Sequence, residues 1–311
     1  MTLAIILAQL ALLLSIFAND VLPILLVASI GFLLARFLKA DVKTLSRVIF
    51  NALAPCLVFN LLVTSKISPD EFGRMMLFTL CAVLGIGLIG WLVTRPLRLD
   101  RALTSAFLIV IMFSNGGNYG LSVNNFAFGK DALARATIYF VTSTVLMYTV
   151  GVFLASSGKS GYRKALTGVL KIPAVYGVIA AAIVMLTRTT LPQPVMRPIE
   201  LLSGASLPMM MMVLGMQLER AARPDNPVLI VLATVLTLII SPLLALGLVN
   251  VLGMSGPARQ AAMIEASMPT AVVTTILAVE YEVMPSFVTS VVFVSTLLSP
   301  VTVTLLIALL K

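Results

Sequence analysis

The run Ser114-Asn115-Gly116-Gly117-Asn118-Tyr119-Gly120 sets two side-chain amides and three glycines inside an apolar stretch. Glycine lowers helix propensity, and asparagine carries donors and acceptors that hydrocarbon cannot satisfy. At membrane depth, non-helical backbone survives only where protein encloses it or water touches it. A polar break at that depth marks a binding site built from two half-helices. Asn115 and Asn118 offer amides to a solute, Gly116 and Gly117 let it approach the backbone, and Ser114 adds a hydroxyl. Tyr119 either lines the cavity or packs as an aromatic. The competing reading of the whole run is tight helix packing through small residues.

A second centre lies at Glu265-Ala266-Ser267-Met268-Pro269-Thr270. Pro269 donates no backbone hydrogen bond and clashes with the preceding turn, which leaves carbonyls near Glu265 open to a cation. The half-helix that follows begins with unpaired amides and a partial positive charge, suited to an anion. Glu265 is ionisable and inside a span, hence a functional candidate. Three roles stay open for it: binding sodium, exchanging a proton, or satisfying its own helix near the extracellular end. Ser267 and, in the fifth span, Thr142 are further hydroxyls for ion coupling, although such groups commonly bond back to their own helix. Asn51, one turn before Pro55, either faces the crossover or repairs the backbone around that proline. Asn124 and Asn125 read as caps or interface residues, Gln217 and Glu200 as groups in interfacial water, and Met209 to Met212 as packing or an adaptable lining.

The elements that must hold these residues are membrane helices. Hydrophobic residues make up 60% of the chain and charged ones 11%, with a mean hydropathy of +1.10, far from a soluble domain. The net charge of +9 resides in short connections between apolar stretches and not on one face, which argues for topology and against nucleic acid. With no histidine, and with Cys56 and Cys81 each inside an apolar span, imidazole catalysis, zinc clusters and a disulfide framework are disfavoured. The chain lacks a convincing nucleophile–base pair, so no enzyme, cofactor or catalytic residue is expected.

Crossing about 30 Å of hydrocarbon takes roughly 20 residues. Ten such spans fall near 19–38, 43–64, 72–94, 102–127, 132–156, 165–187, 197–218, 227–252, 258–280 and 286–310. Residues 1–18 form an apolar N-terminal extension, read as a peripheral helix or a lengthening of the first span in preference to an eleventh crossing; no positive segment marks it as a signal peptide. Counting Lys and Arg on alternate sides gives thirteen, including Lys43 and Arg47, against eight. The richer side is expected to be cytoplasmic in the cell's inner membrane, with both termini outside.

Proline spacing suggests two copies of one unit. Pro23 to Pro55 spans 32 residues and Pro173 to Pro208 spans 35, while Pro55 to Gly116 and Pro208 to Pro269 each span 61. Five spans per copy, 19–156 and 165–311 joined by a short cytoplasmic linker at 157–164, invert the second copy relative to the first. The fold class expected is therefore all-α integral membrane, a ten-helix 5+5 inverted repeat in which broken helices 4 and 9 cross.

These marks resemble the auxin efflux carriers and PIN-like transporters, as a bacterial or archaeal member. They are Val21-Leu22-Pro23 with Gly31-Phe32-Leu33-Leu34, Val48-Ile49-Phe50-Asn51-Ala52-Leu53-Ala54-Pro55 with Phe59, and the Asn-Gly break. Leu207-Pro208 with Leu214-Gly215-Met216-Gln217-Leu218, and the Glu265 to Thr270 segment, complete the set. The resemblance implies crossed broken helices, a scaffold beside a moving transport domain, small organic-acid substrates and a homodimer. The chain departs from the plant pattern in lacking a long central loop and in having Gly116-Gly117 where a proline is expected. The fold is also similar to the bile-acid sodium symporters, in which Ser114, Asn115 and Glu265 would occupy sodium-binding places.

The expected function is secondary active transport of small organic anions, carboxylates, by alternating access. The substrate sits at Asn51, Asn115, Gly116, Gly117, Asn118, Tyr119, Pro269 and Thr270, and sodium or protons couple through Glu265. The alternatives are a cation/proton antiporter, a sodium-coupled carrier like the bile-acid symporters, and a channel.

Overall fold

A computed structural model describes residues 2–156, 170–219 and 226–311, with side chains from residue 7 onward. The linker expected at 157–164, and Lys159, Arg163, Lys164, Arg220 and Arg223 among the basic residues used for orientation, lie outside the described residues. The described chain is helical, and its β-type pairing is a single isolated bridge. In order, the helices are α1 (Thr2–Ile16), α2 (Leu22–Leu38), α3 (Val42–Thr64), α4 (Pro69–Thr94), α5 (Arg101–Met112) and α6 (Gly116–Ala155). There follow α7 (Pro173–Thr187), α8 (Gln193–Leu218), α9 (Pro227–Val251), α10 (Gly256–Ala266), α11 (Val273–Glu280) and α12 (Pro285–Leu310).

Seven described helices are long and apolar enough to cross a membrane, fewer than the ten spans expected. The difference has a local cause at each place. The fourth expected span is cut between Met112 and Gly116, and the ninth between Ala266 and Val273. Gly129 (φ 78°, ψ −167°) interrupts the 40 residues of α6, a conformation essentially restricted to glycine. The 15 residues of α7 would rise about 22 Å, short of a bilayer core. At the N-terminus, α1 runs through one wide turn at Phe17–Val21 into α2, so the apolar extension continues the first span as one helix.

Wide turns of this π type recur for a chemical reason. Three of them, Phe17–Val21, Ile49–Leu53 and Leu236–Ile240, each end two residues before a proline: Pro23, Pro55 and Pro242. In each, the residue before the proline donates its N–H five residues back, as Ala54 does to Ile49. Proline would otherwise clash with the carbonyl four residues upstream, and widening the turn moves that carbonyl away. Asn19 and Asn51, four residues before Pro23 and Pro55, donate their amides to the carbonyls of Ser15 at 2.8 Å and Arg47 at 2.9 Å. Asn51 thus supports the backbone near its proline.

Inside a membrane the hydrophobic effect does not hold helices to one another, and close packing through small residues takes over. Helix α2 lies along α8, and α7 along α3. A Cβ built on Gly31 would fall within the Met212 carbonyl, and one on Gly215 within the Ala28 carbonyl. Backbone meets backbone at this crossing. Gly215→Val is expected to destabilise the protein by about 3 kcal/mol or more, since nothing rigid can yield. Fluorescence-detected size exclusion after heating checks this; an unchanged monodisperse peak would count against it.

Ion pairs tie helix ends. Arg135 of α6 grips Glu71 of α4 with two hydrogen bonds, 2.7 Å from Nε and 3.0 Å from Nη2, while Nη1 donates to the Asp131 carbonyl at 3.0 Å. Lys311 pairs with Asp20, whose carboxylate is buried in the first wide turn. Glu71→Gln, which removes the carboxylate of the bidentate pair and leaves the mostly buried guanidinium with Asp131, is expected to cost about 1–3 kcal/mol. Adding Arg135→Gln should return part of that loss in a double-mutant cycle followed by thermal unfolding.

Candidate functional site

The two interruptions meet. Asn115 N–H donates to the Pro269 carbonyl at 2.7 Å and Ala271 N–H to the Phe113 carbonyl at 2.8 Å, forming an antiparallel bridge between Ser114 and Thr270. Side chains satisfy much of the remaining exposed backbone. Thr270 Oγ1 donates to the Val110 carbonyl at 2.8 Å, and Thr270 N–H donates to Ser295 Oγ at 3.2 Å. The carbonyls expected to be open to a cation around Pro269 also find partners: Ser267 Oγ donates to Met263 at 2.6 Å and Ser241 Oγ to Ala266 at 2.7 Å.

Glu265 is fully buried at the end of α10. Its Oε1 accepts from Asn124 Nδ2 at 3.0 Å, and the same nitrogen also donates to the Gly120 carbonyl at 2.9 Å. The carboxylate fits against the bare backbone of the first turns of α6. A Cβ on Gly120 would lie 2.6 and 2.8 Å from the two carboxylate oxygens, and one on Gly116 would meet Oε2. Oε2 and Asn124 Oδ1 are buried without a protein hydrogen bond. Two orphaned oxygens on hydrogen-bonded residues suit a cation or a shared proton.

Beside the same turns lies a cavity of about 630 Å³. Ser114, Asn115, Gly116, Gly117 and Asn118 line it together with Asn51, Phe50 and Gln217. Asn118 Nδ2 stands 3.5 Å from Gln217 Oε1, at the limit of a hydrogen bond. Asn115 Nδ2 is buried with no protein partner. Aromatic and aliphatic groups, among them Phe140, Met147, Tyr148, Met210 and Phe293, make up most of the rest. The cavity extends to the end of the bundle that carries Lys43, Arg47 and Leu218, and no aspartate or glutamate lines it among the described residues.

The expected site residues therefore divide. Asn51, Ser114, Asn115, Gly116, Gly117 and Asn118 share the cavity. Tyr119, Pro269 and Thr270 are buried beside it without lining it, and Ala271, Val272 and Thr275 take their place on the second chain segment. Ser114 Oγ faces Tyr139 Oη at 3.5 Å, and Thr142 Oγ1 donates to its own helix at Ile138, 2.8 Å away. Asn124, expected as a cap, instead bonds Glu265, and Gln217, expected in interfacial water, faces Asn118. A legible signal existed for Asn124: Gly116, Gly120 and Asn124 recur every four residues and so share one helix face.

A buried polar junction between paired helix interruptions, reached by a cavity through a bundle of apolar helices, is the architecture of a multi-pass membrane transporter. The family described as "Membrane transport protein" matches residues 16–165 and 160–307. The chain is 31% identical over 295 residues to an uncharacterized transporter of Methanothermobacter thermautotrophicus, covering 92% of this chain and 96% of that one. It is 24% identical over 290 residues to an uncharacterized transporter of Methanocaldococcus jannaschii, covering 90% and 94%. The chain belongs to this membrane transport protein family, that of the auxin efflux carriers and PIN-like transporters.

Proposed function

We propose that the protein is a secondary carrier of small organic anions that works by alternating access across the cell's inner membrane. The observation that supports this best is the cavity wall at Asn115 and Asn118. There, side-chain amides and glycine backbone face a space that no acidic side chain lines among the described residues. Such a wall can hold a carboxylate through neutral donors, while the apolar remainder accepts an organic body; the cavity volume is that of an ordinary small-molecule site. In this reading the chain crosses ten times as two inverted five-helix repeats, with the fourth and ninth helices broken where they cross. The end with Lys43 and Arg47 faces the cytoplasm, both termini lie outside, and two copies associate through the scaffold helices.

Glu265 serves as the coupling group, taking sodium or a proton at Oε2, with Asn124 as its partner. Gly116 lies between the amide wall and this carboxylate, lining the cavity and packing against the coupling group. Cation exchange without an organic substrate would favour a pair of midplane carboxylates. Among the described residues, the buried carboxylates are Glu265 and Asp20, and Asp20 is paired with Lys311.

A thermal-shift screen of mono- and dicarboxylates, with and without sodium and across pH, tests the substrate class. Counterflow in proteoliposomes then separates a carrier from a channel. Stabilisation by at least one carboxylate and measurable counterflow are expected; no response to any organic anion would overturn the reading.

A further inference from the structure

The mouth of the cavity carries a feature that the substrate wall does not explain. Lys43, Arg47 and Asn51 succeed one another at four-residue intervals along α3, and all three line the cavity. Lys43 and Arg47 are exposed, and neither forms an ion pair among the described residues. Asp41, the nearest acid in sequence, caps α3 by accepting from the N–H groups of Lys43 and Thr44. Two like charges one helical turn apart repel each other. An anion between them relieves that repulsion, and low-dielectric walls focus their field into the cavity. Eight residues of helix, from Lys43 to Asn51, rise about 12 Å. That is about one and a half times the screening length of about 8 Å at physiological salt, so most of the field is spent within the entrance.

We propose that Lys43 and Arg47 form an anion-receiving station. It concentrates organic anions at this face of the carrier, hands them down the α3 ladder to the amides at the helix break, and holds cations back. The substrate's identity as an organic anion rests on the function proposed above, but the field itself can be measured without it.

The test places one thiol inside the ladder. In a Cys56→Ser, Cys81→Ser background, Asn51→Cys is reacted with two methanethiosulfonate reagents, one sulfonated and anionic, the other bearing trimethylammonium. At low salt the anionic reagent is expected to react faster, and Lys43→Gln with Arg47→Gln to lower the anionic-to-cationic rate ratio about tenfold. High salt should do the same to the parent protein. Arg47→Lys, which keeps the charge, should preserve the ratio, and each single neutralisation should give an intermediate value in protein that elutes as a monodisperse peak. A ratio unmoved by both neutralisations overturns the station.

Counterflow of benzoate and succinate supplies the second arm. The double neutralisation should raise KM at this face several-fold and leave kcat nearly unchanged. If neither anion is carried but the reagent ratio shifts, the station stands and the carrier reading is decided by the wider carboxylate screen. If either is carried and the ratio does not shift, the station fails alone.

Discussion

Glu265→Gln is expected to yield a folded carrier whose transport no longer responds to sodium or to pH. Glutamine keeps the volume of the side chain and can still accept from Asn124 through its amide oxygen. What it cannot do is bind a cation through a charged oxygen or take up and release a proton. The replaced position, Oε2, is the one with no protein hydrogen bond, so the substitution removes no donor's partner. A neutral group is also cheaper than a charge to enclose in a fully buried position. The thermal midpoint should therefore hold or rise. Initial counterflow rates under imposed sodium and proton gradients should lose at least tenfold of whatever dependence the parent shows, the scale of one charge-assisted contact. Parental coupling in this variant would refute the coupling role. Glu265→Ala, which empties the space over Gly116 and Gly120 and strands Asn124, should instead lower stability by about 2–4 kcal/mol.

Asn115→Ala should produce the largest loss in substrate affinity. Asn115 lines the cavity and its amide nitrogen is buried with no protein partner, so that donor is free for a carboxylate that reaches it. A hydrogen bond to a charged group contributes about 1.5–3 kcal/mol, which corresponds to roughly a 10- to 100-fold rise in Kd. The main-chain bond to Pro269 does not involve the side chain and should persist. The protein without ligand should accordingly keep its thermal midpoint while its ligand-induced shift collapses. The reverse pattern, lower intrinsic stability with intact affinity, would identify Asn115 as structural.

The breaks were readable from residue chemistry because glycine, asparagine and proline at bilayer depth violate the local rules of a spanning helix. Their pairing was readable from equal spacing, which the Ser114–Thr270 bridge matches within two residues of Gly116 and one of Pro269. The glycines do two geometric jobs: Gly117 lines the cavity and lies against Phe140, while Gly116 and Gly120 pack on Glu265. A single sequence cannot say which way a helix face points. From sequence, Lys43 and Arg47 read only as orientation signals for that reason, and Gln217 as an interfacial group. Length and hydropathy alone mark seven described helices as spans, because α5, α7, α10 and α11 are individually too short. Arg135 and Glu71 were out of reach, since 64 positions separate them and nothing local links them.

The bridge between Ser114 and Thr270 has a mechanical corollary. Two main-chain hydrogen bonds join the interruptions, whereas Asn118 and Gln217 touch only at the limit of a hydrogen bond. If one part of the carrier slides past another, the weaker seam is the natural plane of slip, and the fused junction travels as a single body. Amide protons of Asn115 and Ala271 should then exchange with solvent deuterium slowly in every state of the cycle. A disulfide engineered across the junction should be tolerated during turnover, and one bridging α8 to the first turn of α6 should freeze the carrier in one orientation.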